Sequence, residues 1–483
     1  MKRRLSLILC LALALSITGC GNESNPGNET TPSQNNYVTT APENTYTPDD
    51  REYWEPIKAE NLGGTFTVGV YQEHNFDVEE ENGDTINDAI YARNLAVEQL
   101  YGVEISETIT DRGKFQSMVL AADDSIDVCM ASLTREAANF STADLLIDLG
   151  TIDSMNLDAE WWDQNLLSEV APAGKRFFCA GDIDYILYSR AVILTFNKQK
   201  LADIYDKDIY QLVKDGKWTF DVFDKLQRNS TQDLNGDGKM DDKDSYGIIN
   251  SSIHATMLYY ASGERILTPN KSGGYDITMN SVRGNNVISR LFEITLGSEE
   301  YCYNTDKVNQ DGIWERVRAM FRNEQALFQS TVLYNIINQR SMESDFGVLP
   351  YPKYDEAQSG YYSATANANK VFVVPKSVSD TDRIGKIMNV LCFEGRFTVK
   401  KAFYDEALGV KFIRDDESKD MLDIIFDSVI FDVGYIFNPG GLGTLIQNMH
   451  KSGNPNFASQ YAGLESAAKT ATDELVENMK NLG

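Results

Sequence analysis

Hydrophobic positions along this chain follow two rhythms. From residue 63, "GGTFTVGV" alternates apolar and polar side chains, the period of a strand with one buried face, and it runs out into a loop carrying Tyr71 and His74. "TINDAIYARNLAVEQLYG" then spaces Ile86, Ile90, Val97 and Leu100 along one helical face, although Arg93 and Asn94 interrupt the stripe. "VEISETI" predicts a second strand, and "SIDVCMASL" a buried strand that ends among small residues at Ser132. "RFFCAGDIDYILYSRAVILTFNKQKLADIY" predicts a strand-rich run followed by a helix. "KWTFDVFDKLQRN" predicts a helix with Thr219 as N-cap and Phe220, Phe223 and Leu226 as its buried stripe. "SYGIINSS" predicts a strand leading into a loop, and "GVLPYPKYDEAQSGYYSATANANKVFVVPK" a second irregular extended run that ends in a strand. "DRIGKIMNVLCFE" and "SKDMLDIIFDSVIFD" are amphipathic, with Asp415, Asp416 and Glu417 placed to suit the dipole of the second helix. Strands alternating with helices predict an α/β protein with parallel sheets and ligands at the carboxyl ends of the strands. The two extended runs, far apart in sequence, let the chain cross between two lobes and return.

The start of the chain has a different character. "MKRR" is a basic n-region and "LSLILCLALALSIT" an apolar run too short for a membrane span, so residues 1–19 are expected to be a removed secretory signal. The "ITGC" that closes it resembles the bacterial lipobox, in which Cys20 is acylated and becomes the first mature residue. Two acyl chains hold a protein to a bilayer far more firmly than one. Residues 20–60 are rich in Asn, Thr, Pro, Glu and Ser and poor in aliphatics, which predicts a tether, with the folded body beginning near Leu62.

Composition narrows the function. Lys and Arg number 44 against 72 Asp and Glu, a formal charge of −28 that becomes −31 once Lys2, Arg3 and Arg4 leave with the signal. Such a body repels nucleic acid and anionic lipid, so its partners are expected to be neutral or cationic. Cys129, Cys179, Cys302 and Cys392 show no CxxC spacing, which excludes a zinc or redox pair and leaves disulfides and simple burial both open. His74, His254 and His450 form no HExxH pattern, there is no GxSxG elbow, and "NPGGLGT" lacks the lysine of a phosphate loop. A glycosidase needs only two facing carboxylates, so a hydrolase is not excluded.

One stretch carries explicit metal chemistry. "DLNGDGKMDDKD" sets oxygen donors at positions 1, 3, 5, 7, 9 and 12 of a twelve-residue loop, namely Asp233, Asn235, Asp237, the Lys239 carbonyl, Asp241 and Asp244, with Gly238 at the turn. It resembles an EF-hand or dockerin calcium loop, except that Asp244 stands where Glu is usual. With a helix on one side and a strand on the other, the expected ion is structural calcium stapling a surface excursion, not a switch.

"ITGC", "EWWDQN", "AGDIDY", "ILTFNKQKLADIY", "LVKDGKWTFDVFDKL", "DLNGDGKMDDKDSYGI", "FGVLPYPKYDEAQSGYYS" and "IRDDESKDMLDII" occur in this order along nearly the whole mature chain. Together they resemble the extracellular solute-binding lipoproteins of carbohydrate ABC importers, family 1 type, of Gram-positive bacteria. That resemblance implies a type II periplasmic-binding-protein-like fold: two α/β lobes joined by hinge strands, a central ligand cleft, and no catalysis. The implied division is lobe 1 over 61–187 and 355–408, and lobe 2 over 188–354 and 409–483, the latter with the calcium loop 233–244 and the C-terminal helices. It further implies a neutral sugar or oligosaccharide as ligand, the importer's transmembrane permease subunits as partners, a lipid-anchored position on the outer face of the cell membrane, and a monomer. A secreted calcium-stabilised glycan hydrolase or lyase, or a surface sensory or adhesion module of the same fold, is the alternative.

A sugar site needs aromatic platforms for ring faces and polar groups for hydroxyls. Loop position selects Tyr71, His74, Ser132, Asp182 and Asp184 on the first lobe side, with Trp161 or Trp162 as a platform, since neighbours on a helix point about 100° apart. The second side offers His254, Tyr259, Thr331, Tyr334 and Asn438, and Asn367 and Asn369 lie near the second crossing. Trp218 and Trp314 read as helix-packing residues.

Overall fold

The computed structural model describes residues 57–71, 76–297, 301–309, 311–339, 341–365, 369–406 and 415–482. The expected signal, Cys20, most of the tether, His74 and Asn367 lie outside them. Among the described residues, thirteen strands occur: β1 Thr65–Val70, β2 Glu104–Ile109, β3 Val128–Ser132, β4 Val192–Asn197, β5 Tyr246–Asn250, β6 Leu267–Pro269, β7 Tyr275–Ile277, β8 Cys302–Asn304, β9 Ala326–Val332, β10 Phe346–Leu349, β11 Ser363–Ala364, β12 Lys370–Val373 and β13 Val429–Ile430.

Two main sheets organise these strands. The first has the order β12-β3-β1-β2, and the second β10-β4-β9-β5-β8. In the first, β1 runs parallel to β2 and β3, while β12 returns antiparallel on β3 with Lys370 opposite Ser132. In the second, β5 is parallel to β8 and β9, but β4 is antiparallel to both β9 and β10. The sheets are therefore mixed where the alternation of elements predicts parallel ones. The antiparallel strands β4 and β12 are the ones the chain enters on crossing from one sheet to the other.

The side-chain rhythm of β3 shows how the cores divide. Val128 and Met130 face a cluster with Phe66, Val68 and Val70 of β1, whereas Cys129, Ala131 and Leu133 face the opposite way. That second face joins Val371 and Val373 of β12 to a core continuing through Trp218, Phe223 and Phe328 of the second lobe to Tyr461 and Met479 near the C-terminus. Among the described residues the four cysteines are buried and free, and burial pushes the Cys129, Cys179, Cys302 and Cys392 thiols upward.

Helix Thr85–Tyr101 explains the interruption in its stripe. Asp84 caps it by accepting from the Ile86 and Asn87 amides. Arg93 is only 1 % exposed, and its guanidinium donates to the carbonyls of Ile183 and Phe76 and to the Asn94 side chain, with the Phe76 ring 4.2 Å away. The polar pair thus ties the helix to the first crossing. Helix Phe220–Asn229 buries Phe220, Phe223 and Leu226 as its spacing predicts, with Thr219 at the cap position but no side-chain capping bond. "SYGIINSS" forms β5 and then opens helix Ser252–Ala261 in place of a loop, Ser251 accepting from the Ile253 amide.

Candidate ligand-binding site

The carboxyl ends of β1, β3 and β9 and the two crossing segments place polar side chains around the junction between the sheets. Strand β9 is fully buried from Ala326 to Gln329 and becomes half-exposed at Ser330, Thr331 and Val332. Beyond it Tyr334 is 50 % exposed, and its ring lies 5.4 Å from the Arg190 guanidinium of the first crossing. On the other sheet, half-buried Tyr71 follows β1 and half-buried Ser132 ends β3, its amide donating to Glu136. Lys370 opens β12 among Asp184, Arg190 and Glu136. Burial holds its ammonium below the usual range, Asp184 opposing this and Arg190 adding to it.

Several buried polar atoms here lack hydrogen-bonded partners. Asn369 is 1 % exposed, and both its amide nitrogen and its amide oxygen are unpaired. The Tyr71 hydroxyl lies beside the Cys129 thiol without hydrogen-bond geometry, and the Tyr260 hydroxyl is likewise unpaired. Burial, followed by the Cys129 and Glu136 charges, pushes the Tyr71 phenol well above its ordinary value, so it acts only as a neutral donor and acceptor.

Two pockets occupy the gap between Leu133–Thr142 and the segment 430–438. One, of about 20 Å³, is lined by Leu133, Thr134, Tyr260, Thr365, Asp432 and Tyr435 among others. The second, of about 230 Å³, shares Thr134 and Ile436 with it and adds Asn139, Thr142 and Asn438. Asp432 is committed elsewhere: its carboxylate accepts from the Ile266, Leu267 and Gly434 amides, although burial pushes its pKa up.

The structure brings Tyr71, Ser132, Thr331, Tyr334 and Asn438 to this region and withdraws others. Trp161 and Trp162 do not lie on a helix but on a turn bridged to Gly181, where a Cβ would collide with the Trp161 carbonyl, so both rings can bury at once. Their indole nitrogens donate to Asn389 (3.0 Å) and the Met155 carbonyl (3.0 Å), and neither is a platform. Asp182 is 2 % exposed, 2.9 Å from Lys400, 3.5 Å from Arg396, and accepts from Tyr188 (3.1 Å), so its charge is spent inside lobe 1. Asp184, 7 % exposed, accepts from the Ile186 amide just ahead of helix Ile186–Ser189. His254 and Tyr259 are wholly buried in helix Ser252–Ala261, His254 against Tyr351 (2.9 Å) and Tyr259 donating to the Arg265 carbonyl (2.9 Å). Trp218 packs as expected, but Trp314 does not: it is 60 % exposed.

The loop 233–244 is pinched at its base by paired backbone bonds between Gln232 and Ser245. Asp233 accepts from the Gly236 and Gly238 amides at 2.7 and 2.8 Å, and both glycines have positive φ. Asp244, fully buried, accepts from Leu234 at 3.0 Å and Asp241 at 2.8 Å, joining the two ends. The Asp241 amide, with that of Leu234, holds the Asp244 carboxyl below its usual range despite desolvation. Asn235, Asp237 and Asp241 accept from Asp237, Lys239 and Lys243 amides. The ring closure fits a calcium loop, yet among the described residues no three Asp, Glu, His or Cys side chains converge to hold a metal ion.

No family model matches the sequence, and no curated protein matches it. Solved structures do match in fold. The GacH receptor of Streptomyces glaucescens GLA.O, solved unliganded and with acarbose, aligns at 11 % identity over 88 % of this chain and 100 % of its own, with a TM-score of 0.52. A cyclo/maltodextrin-binding protein in complex with maltotetraose aligns at 14 % identity, 86 % and 96 % coverage and 0.54. The maltose/maltodextrin-binding domain MalE of Bdellovibrio bacteriovorus, bound to maltotriose, aligns at 15 %, 85 % and 99 %, and 0.52. The chain therefore has the two-lobe periplasmic-binding-protein-like fold.

Proposed function

We propose that the chain is the substrate-binding component of an ABC importer, taking a neutral sugar or oligosaccharide between its lobes and handing it to a permease without chemical change. The observation that carries this reading is the set of buried polar atoms left unpaired where the sheets meet: the Asn369 amide and the Tyr71 and Tyr260 hydroxyls. Each costs about 1–3 kcal/mol when unsatisfied, and folded proteins keep such groups few. A polyhydroxylated ligand supplies both donors and acceptors, and Tyr334 offers an exposed ring for an apolar sugar face. Lys370 and Arg190 sit among Asp184 and Glu136, so the floor has both signs of charge, which suits a neutral solute. The relatives in fold bind acarbose, maltotetraose and maltotriose, and this chemistry agrees with the residues named here.

Closing two lobes over such a ligand excludes water and shifts the population toward the closed form, the shape a permease would recognise. Acylation of Cys20 would hold the protein on the outer face of the membrane through the tether; Cys20→Ala should then release it into the medium. Calcium in loop 233–244, held by Asp233, Asn235, Asp237, Asp241, Asp244 and the Lys239 carbonyl, would stabilise the folded state only.

The deciding experiment is a melting screen of the purified mature chain against mono- and oligosaccharides. A matched sugar at a hundred times its Kd stabilises by about 2.7 kcal/mol, compacts the particle in solution scattering, and is recovered uncut. Asn369→Ala should lose that stabilisation. Release of shortened sugar that disappears on replacing one carboxylate would establish the hydrolase instead.

A further inference from the structure

Three side chains from three separate elements form one hydrogen-bonded row that ends where β9 emerges at the sheet junction. His254 lies on helix Ser252–Ala261 and is fully buried. Its Nδ1 is 2.9 Å from the Tyr351 hydroxyl, and that hydroxyl is 2.6 Å from Ser330 Oγ. Tyr351 is buried just beyond β10, on the second crossing, and the carbonyl of its neighbour Pro350 accepts from the Trp218 indole nitrogen at 2.9 Å. Ser330 is the first residue of β9 to leave the core: Ala326 to Gln329 are buried, and Ser330, opposite Leu194 on β4, is half-exposed. Among the described residues the contact with Tyr351 is the one hydrogen bond of its hydroxyl. The row therefore runs from the core of the second lobe to the ligand-facing end of its central strand.

The direction of the row follows from counting protons. Burial, with the His450 ring adding to it, lowers the His254 pKa to about 3, so at pH 7 the ring is neutral and carries one proton. Nε2 is buried and has no partner among the described residues. Folded proteins tolerate an unmet acceptor more readily than an orphaned buried N–H, which puts the proton on Nδ1. His254 then donates to Tyr351. Burial raises the Tyr351 phenol above its ordinary value, so its hydroxyl keeps its single proton and gives it to Ser330 Oγ. The proton of Ser330 itself is left over, at the half-exposed end of the strand.

We propose that His254 and Tyr351 are positioning residues that keep the Ser330 proton for the ligand, so that Ser330 can donate to a ring or glycosidic oxygen, an atom that only accepts. Reversed, the row would spend that proton on Tyr351 and offer the ligand nothing but lone pairs. The inference rests on the sugar-binding reading above and adds the orientation of one of its bonds.

Two measurements on the full mature chain test it. The first is a long-range proton–nitrogen correlation spectrum with isotope-labelled histidine at pH 7; the chain has three histidines, and His254→Phe identifies the ring. The proton is expected on Nδ1, and a proton on Nε2 would overturn the proposal whatever the ligand. The second is calorimetric titration with linear α-glucan, β-glucan, β-xylan, β-mannan and β-galactan oligomers. It compares the unmodified protein with Ser330→Ala, Tyr351→Phe, the double variant and Asn369→Ala, each affinity taken per folded molecule. Ser330→Ala should weaken the best-bound sugar about tenfold, near the net worth of one hydrogen bond. Tyr351→Phe frees the Ser330 hydroxyl among three staggered wells and should weaken binding about threefold. In the Ser330→Ala background it should change nothing, because it acts only through Ser330. The same loss in both backgrounds would make Tyr351 a structural residue and overturn the positioning. Unchanged affinity in Ser330→Ala, with Asn369→Ala still defective, would overturn the proposal and leave the sugar reading standing. No binding of any of these sugars by the unmodified protein would overturn both. The spectrum needs only the unmodified row, so it decides the direction even where Tyr351→Phe fails to fold.

Discussion

Acid should destabilise this protein between pH 7 and pH 5, and His254 is a reason that one substitution can isolate. Its ring is fully buried between Phe223, at 5.9 Å, and Tyr351, at 5.3 Å, and Nε2 has no hydrogen-bond partner. Burial, with the His450 ring adding to it, lowers its pKa to about 3. An unfolded histidine titrates near ~6.5. Between those values the unfolded chain binds a proton that the folded chain refuses, so stability is fully present above the unfolded pKa and is lost as pH falls through it. At pH 5 the loss is about 2 kcal/mol, from 1.4 kcal/mol per unit over roughly one and a half units. That figure hardly depends on the folded pKa, provided it stays below about 4. His254→Phe keeps an aromatic ring in the site and gives up one bond, to Tyr351, whose hydroxyl retains Ser330 at 2.6 Å. Denaturant unfolding at pH 7 and pH 5 should show the unmodified protein losing about 2 kcal/mol more than the variant over that interval. Parallel losses in the two proteins would show that His254 is protonated in the fold and would refute the reasoning.

Other outcomes follow from single residues. Asp182→Asn removes the charge that Lys400 and Arg396 face inside lobe 1 and should cost about 3 kcal/mol or more in chemical denaturation, with sugar affinity per folded molecule unchanged. Trp162→Ala should cost about 3–5 kcal/mol by opening a cavity in the same lobe, again without altering ligand specificity, because the indole is a core group and not a platform. Chelation should lower the melting temperature of the unmodified protein but not of Asp237→Ala; an unchanged melting curve on chelation would make loop 233–244 an ordinary acidic turn.

Much of the fold is legible in the residue pattern. Period two in "TFTVGV" becomes β1, and the 3.6-residue stripe of Phe220, Phe223 and Leu226 becomes a buried helix face. Strand direction is not legible. Nothing in Val192–Asn197 or Lys370–Val373 says that each runs against its neighbours, because direction depends on which sheet the chain has just left. The misplaced site residues share one cause: a polar or aromatic side chain looks available until a partner that only the fold reveals claims it. Asp182 meets Lys400 and Arg396 from far along the sequence, Trp161 meets Asn389, and Tyr259 turns to the Arg265 carbonyl. Trp314 errs the other way, since helical spacing alone does not reveal that Ile313 takes the inward position and leaves the indole outside.

In the reading proposed here, the ligand-facing groups combine unmet bonding with a place at the sheet junction, a combination no residue has by itself. Asn369 illustrates the point. It sits on the same face of the β12 segment as Val371 and Val373, and its backbone carbonyl is used by the Leu133 amide, yet its side-chain amide is buried with nothing attached. An apolar residue there would remove an unsatisfied amide and so favour the unliganded fold, at about 1–3 kcal/mol for each polar group no longer stranded. A buried amide in that place is a cost without return unless a ligand completes it. The measurable consequence is an opposition of signs: Asn369→Leu should raise the melting temperature of the free protein while abolishing the shift produced by sugar. A variant that melts lower in both conditions would mean that Asn369 supports the β12 edge structurally, and the hydroxyl-binding role would pass to Tyr71 and Tyr260.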